Sequence, residues 1–254
     1  MNPNVALTVV FAFIGAVYLR GRFQRRSIAG WRASSFCAGL FAVWVAVGSP
    51  VSSLDSHMLT AHMIQHLLLM TIAPPLIWLG EPAMVLWPAR WPLPDSIGKR
   101  LGNLTFCWLA ASAALIVWHA PAMFTLGMRS PTWHFIEHAS FLVTGLLFWW
   151  PVIEPWPCVA RWPRWSMLLY LFLATLPCDV LSGLLVFSDR VVYPVYLSMP
   201  EMGAQMGSLS PLEDQECAAA LMWTCVTVVF LIAGTILSMQ MLAPKPRLQE
   251  TASI

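Results

Sequence analysis

The chain has 254 residues, of which 58% are hydrophobic and only 10% charged, with a formal net charge of +2. A soluble domain carries about a quarter charged residues, so this composition excludes an ordinary water-soluble enzyme and indicates a polytopic membrane protein with the bilayer as its solvent and no nucleic-acid partner. Six cysteines, at positions 37, 107, 158, 178, 217 and 225, form no CxxC pair, which argues against a zinc ribbon or a thioredoxin motif.

Seven apolar segments follow in order, at about 4–19, 33–51, 57–79, 101–120, 132–153, 166–187 and 217–242. A bilayer core needs about 20 helical residues, so the first segment is short and the others suffice. The expected architecture is all-α: one domain, a bundle of seven transmembrane helices. The first apolar run is followed by arginines and lacks a small-residue cleavage site, so it reads as a span and not as a cleaved signal. Pro74-Pro75 in the third span and Pro177 in the sixth should kink or unwind their helices.

The loops supply an orientation. Arg20, Arg22, Arg25, Arg26, Arg32, Arg90, Lys99, Arg100, Arg161, Arg164, Lys245 and Arg247 all fall on one side of a seven-span chain, and only Arg129 and Arg190 on the other. The positive-inside rule then predicts an outer N-terminus and a cytoplasmic C-terminus. Tryptophans near span ends, such as Trp87, Trp91, Trp149 and Trp150, suit the headgroup belt. All six histidines are thereby placed at the outer ends of three different spans.

The third span is the most unusual. On a helix, Met58, His62, His66 and Met70 form one stripe of thioether, imidazole, imidazole and thioether. A second pair, His134 and His138, has the same one-turn spacing, and His119 ends the fourth span before Pro121. Paired imidazoles four residues apart can reach one metal ion; the alternative is that each hydrogen-bonds a neighbouring helix. His57, nine residues before His66, turns to the opposite face and is expected to cap the helix or meet water.

Other candidates are softer or supporting groups. His134-Phe135-Ile136-Glu137-His138 has the letters H-x-x-E-H of inverted zinc peptidases, but Glu137 is read preferentially as a group that orients an imidazole. Asp179, in the outer half of the sixth span, is a ligand, a supporting carboxylate or a helix-end group beside Pro177. Met199, Met202 and Met206 share one polar outer loop and are candidates for guiding copper, since thioether suits Cu(I). Met123 and Met128 are also expected in an outer loop. Cys178 and Cys217, both on the outer side, could pair as a disulfide or bind metal.

Several blocks carry a resemblance. They are His62-Met63-Ile64-Gln65-His66 with Ala73-Pro74-Pro75; Trp118-His119-Ala120-Pro121-Ala122-Met123-Phe124; Glu137-His138-Ala139-Ser140-Phe141 with Phe148-Trp149-Trp150-Pro151; Tyr193-Pro194-Val195-Tyr196; and Asp214-Gln215 before Met222-Trp223. In this order they resemble the CtaG family of bacterial cytochrome c oxidase assembly factors, the seven-span membrane type, from about residue 49 to the last span. The resemblance implies a bacterial plasma-membrane protein that matures haem–copper oxidases by supplying copper. It also implies oxidase subunits and periplasmic copper chaperones as partners, and His62, His66, His119, His134 and His138 as site positions. One departure stands out: Ala219 replaces the family's small glycine after Asp214-Gln215, and Cys217 is added, so a thiol near the site and a change in local packing are to be expected.

Two kinds of function compete. The first is a non-enzymatic copper carrier with Cu(I) held by neutral imidazole and thioether ligands, Met58, Met70 and Met222 among them. The second is chemical: an intramembrane zinc hydrolase using the two histidine pairs and a carboxylate base, or a bis-histidine haem protein.

Overall fold

The computed structural model describes residues 3–24, 29–86, 102–154, 162–197 and 209–243. Among these residues the chain is helical, without strands. The helices are α1 (Pro3–Gln24), α2 (Gly30–Val47), α3 (Leu59–Leu67), α4 (Ala73–Leu79), α5 (Pro82–Leu86), α6 (Leu104–His119), α7 (Pro121–Arg129), α8 (Pro131–Ile153), α9 (Arg164–Val186) and α10 (Pro211–Leu242). Six helical stretches are long and apolar enough to cross a bilayer, and α6 with α7 makes a seventh if that bent pair is one span. The expected all-α, membrane-spanning architecture is the one observed.

The third span is α3 and α4 joined by a π-helical turn, Leu68–Ile72. Its cause lies in Pro74 and Pro75. Neither has an N–H to donate, and each ring would crowd the carbonyl four residues back, at Met70 or Thr71. The helix widens just upstream, so that Ala73 N–H donates to the Leu68 carbonyl, five residues back. The freed Met70 carbonyl accepts instead from Trp149 Nε1 at 3.3 Å. Helix α8 comes very close here: a Cβ on Gly145 would lie 2.8 Å from the Met70 carbonyl oxygen, so only glycine allows this approach.

The fourth span ends where the pattern predicts. Pro121 disfavours helical geometry at the preceding residue, and Ala120 is extended, with φ −63° and ψ 129°. The chain bends by 75° into α7. Met123 and Met128, expected in a loop, therefore lie on a helix, packed against α6 and α8. At Pro177 the helix does not unwind. Helix α9 continues through it from Arg164 to Val186, packed along α10 in the most extensive helix pair of the bundle. The first helix reaches Gln24, past Arg20 and Arg22, and the last begins at Pro211, six residues before the expected start. Its N-terminus is secured by a capping box, in which Ser210 Oγ accepts from the Glu213 N–H and Glu213 accepts from the Ser210 N–H.

Polar side chains tie the spans together through backbone carbonyls. Tyr18 Oη donates to Gly80, Trp78 Nε1 to Leu146 and Tyr170 Oη to Phe148. Such bonds matter where apolar contact with a neighbouring helix gains little over contact with lipid. Large apolar side chains such as Phe13, Phe135, Phe172, Leu184 and Leu231 face outward, as lipid requires.

Candidate metal centre

Seven described segments meet at the histidine end: the N-termini of α3, α8 and α10, the C-terminus of α6, helix α7, the loop at Asp55, and the 192–197 segment after α9. Antiparallel passage of successive spans brings these ends together. His62 and His66 stack one turn apart on α3, with ring centroids 4.2 Å apart, and His134 and His138 repeat that spacing on α8 at 4.2 Å. The two pairs face each other, His62 to His134 at 5.7 Å and His66 to His138 at 5.7 Å.

Glu137 lies between them. Its Oε1 is 3.5 Å from His62 Nε2 and 3.4 Å from His66 Nε2, and the residue is fully buried. A tetrahedral ion with bonds of about 2.0–2.1 Å holds its ligand atoms roughly 3.3–3.4 Å apart. The carboxylate thus stands where a third ligand to the His62–His66 pair would stand, closer in than the orienting role expected of it. A second carboxylate, Asp55, lies 3.4 Å from His134 Nε2 through its Oδ2. The ligand atoms of His62, His66 and Glu137 fall within 4.8 Å of one another, as do those of Asp55, His62 and His134, so His62 is common to both groups.

The hydrogen-bond state of this cluster is its most telling property. Ten buried side-chain nitrogen or oxygen atoms among the described residues lack a hydrogen-bond partner. Eight are here: both ring nitrogens of His62 and of His66, both oxygens of Glu137, and Nε2 of His134 and of His138. An unsatisfied buried polar atom costs about 1–3 kcal/mol. Eight of them would rival the total stability of an ordinary domain, about 5–15 kcal/mol. The donor set fits a metal ion: imidazole nitrogens and carboxylate oxygens converging on common points, with partly exposed His134 and His138 at the rim.

The frame around the cluster is fully bonded. Asp214, on α10, caps α3 from a distance: its carboxylate accepts from Leu59 N–H at 2.6 Å, Thr60 N–H at 3.2 Å and Thr60 Oγ1 at 2.6 Å. Gln215 accepts from Val192 N–H at 2.7 Å and donates to the Leu185 and Arg190 carbonyls. Tyr193 Oη donates to the His119 carbonyl and Tyr196 Oη to that of Asp55, each at 3.0 Å. Burial raises both phenols above their usual range, so they remain donors. Trp118 Nε1 donates to Ser140 Oγ at 2.7 Å, linking α6 to α8 beside the site. Phe124 stacks on Tyr193 at 3.9 Å and meets His62 edge-on.

The remaining predicted residues divide. His119 is buried one step deeper: Nδ1 lies 2.8 Å from the Leu115 carbonyl and Nε2 lies 3.4 Å from Met63 Sδ. Met70 and Met222 line a cavity below the histidines. Met58 is not in the helix but at its extended N-cap, which breaks the expected stripe. Asp179 lines a separate lateral groove between α9 and α10 with Phe172 and Trp223, because it and the cavity-facing Cys178 are neighbours on α9 and turn to different faces. Cys178 is buried and Cys217 exposed, and both are free thiols, so the disulfide alternative does not hold. Cys217 faces outward, while Ala218 and Ala219 take the buried positions. His57 is exposed, in keeping with its expected place off the site. Met199, Met202 and Met206 lie outside the described residues, as do Cys158, Trp87 and Trp91. Sequence reasoning missed Asp55 and Met63. Asp55, a rare acidic residue just ahead of the histidine-rich span, offered a signal; Met63 offered none beyond its place beside His62.

Fold and site together define a polytopic helical membrane protein with a buried imidazole–carboxylate cluster near one end of the bundle. Residues 11–244 match the family model for the cytochrome c oxidase caa3 assembly factor, Caa3_CtaG. The chain belongs to that family. Searches of curated proteins and of solved structures gave no match.

Proposed function

We propose that this protein binds copper in the His62, His66, Glu137, His134, His138 cluster at the outer face of the membrane and passes it to a haem–copper oxidase during assembly. Membership of the assembly-factor family supports the oxidase as recipient. The observation that carries the metal is the buried, unpartnered set of His62, His66 and Glu137, whose ligand atoms lie within 4.8 Å of one another, with His134 and His138 flanking it. Imidazole is a good ligand for copper, and a cluster opening at the rim through His134 suits an exchangeable cargo better than a sealed structural ion. The outer placement rests on the positive-inside distribution of arginine and lysine. Oxidase subunits and periplasmic copper chaperones are the partners this role requires.

Zinc chemistry is the second reading, favoured by one feature: Glu137 beside a histidine pair provides a set of three ligands, the number a catalytic zinc uses. Haem is less well supported, since the buried Glu137 carboxylate, 3.4–3.5 Å from His62 and His66 Nε2, occupies the space a macrocycle would need. The test is elemental analysis of purified protein after competition between copper and zinc. Copper retained by the wild type and lost in His138→Ala is the expected result; zinc retained with no copper would overturn the proposal. In cells, a deletion strain should show oxidase deficient in copper, restored by the wild-type chain but not by His138→Ala.

A further inference from the structure

Below the histidine cluster lies a cavity of about 60 Å³ whose wall includes Met63, His66, Met70, His119, Cys178 and Met222. A cavity of 10–15 Å³ already accepts a water, so this one has room for an ion. Its chemistry differs from that of the cluster above: three thioethers, a thiol and two imidazoles, with no carboxylate among the lining residues. At its upper edge, His119 Nδ1 is 2.8 Å from the Leu115 carbonyl and must donate to it. In the neutral ring that leaves the lone pair on Nε2, which points at Met63 Sδ 3.4 Å away. Met63 is 1% exposed, and its sulfur also offers only lone pairs. Two buried lone pairs facing each other are held together best by a cation. A metal with bonds of about 2.0 Å to nitrogen and 2.3 Å to sulfur sets these atoms roughly 3.5 Å apart.

We propose that Met63 and His119 form a second, softer site that takes Cu(I), with the thioethers of Met70 and Met222 available along the cavity wall. This inference rests on the copper reading of the outer cluster and deepens it. The two compartments differ in charge. Glu137 and Asp55 suit the outer one to a Cu(I) ion arriving with water still bound. The inner one offers neutral ligands in an apolar wall, which selects a soft monovalent ion. His66 belongs to both: its Nε2 is 3.4 Å from Glu137 and its ring centroid is 5.8 Å from that of His119. It is the stepping point between them, and transfer needs no change of oxidation state if copper arrives as Cu(I).

The test is titration of the purified full chain with Cu(I) buffered by a competing chelator, read by stoichiometry and by X-ray absorption. The wild type should take two equivalents and show sulfur as well as nitrogen and oxygen scatterers. Met63→Leu, which conserves volume, should lose one equivalent and the sulfur signal while keeping the other. Two equivalents with undiminished sulfur scattering in Met63→Leu would overturn the inner site. So would a wild type with one equivalent and only nitrogen and oxygen scatterers, which would leave the outer copper site standing. A wild type that takes no Cu(I) would overturn both readings. The wild-type sulfur signal decides the matter even if the variant fails to fold.

Discussion

Two sets of polar side chains are buried at the same end of this bundle, and they have opposite hydrogen-bond states. Asp214, Gln215, Tyr193 and Tyr196 spend their donors and acceptors on backbone groups of α3, of the segments ending α6 and α9, and of the loop ahead of α3. His62, His66 and Glu137, a few ångströms away and equally buried, have no hydrogen-bonded partner for their side-chain atoms. Both sets come from blocks that carry the family resemblance, so residue type alone does not separate them. Their partners do. The first set holds helix ends in place; the second leaves buried polar atoms without partners, at a standing cost to the fold.

That difference can be broken from either side. The largest effect is expected at His62, the residue common to both ligand groups. His62→Leu should abolish copper binding at the outer cluster, while the melting temperature of the metal-free protein stays level or rises, because two unpartnered nitrogens are removed. Copper retention with a lowered melting temperature would place His62 in the frame instead. Asp214→Ala should do the reverse. It removes three hydrogen bonds to the first turn of α3 and should cost about 2–4 kcal/mol in denaturant unfolding, with copper affinity falling only as the helix frays.

Gly127→Ala probes the boundary between the two sets. A Cβ there would stand 2.7 Å from Glu137 Oε2, so the carboxylate must move off the point it shares with His62 and His66. A copper affinity about 10-fold weaker is expected, the scale on which groups that position ligands act, with little change in unfolding. The smallest effect is expected for Tyr193→Phe, which removes one bond to the His119 carbonyl. About 1 kcal/mol of stability should be lost, with the copper stoichiometry unchanged.

Much of the site was legible in the chain. The i, i+4 spacing of both histidine pairs and the alternation of spans already placed four imidazoles at one end of the bundle, and Pro121 marked the break after His119. The softer half was misread at particular residues. The Met58–Met70 stripe assumed an ideal helix from residue 58, but Met58 sits at the extended N-cap, while Met70 lines the cavity with His66. Met63, off that stripe, is the methionine that reaches an imidazole. Asp179 shares a depth with the site but not a face. Asp214, which the sequence offered only as part of a resemblance block, is a cap for another helix.

Composition and period alone determined that this chain crosses a membrane as helices and where its imidazoles gather, because the bilayer permits few backbone solutions and helical spacing is local. Which carboxylate faces which imidazole was decided only in three dimensions. Asp55 reaches His134 from a loop 79 positions earlier in the chain, and Asp214 reaches Thr60 across 154. Contacts at such separations depend on how helix ends pack against one another, through the Gly127 and Gly145 approaches and the bend at Ala120, and no local pattern encodes that packing.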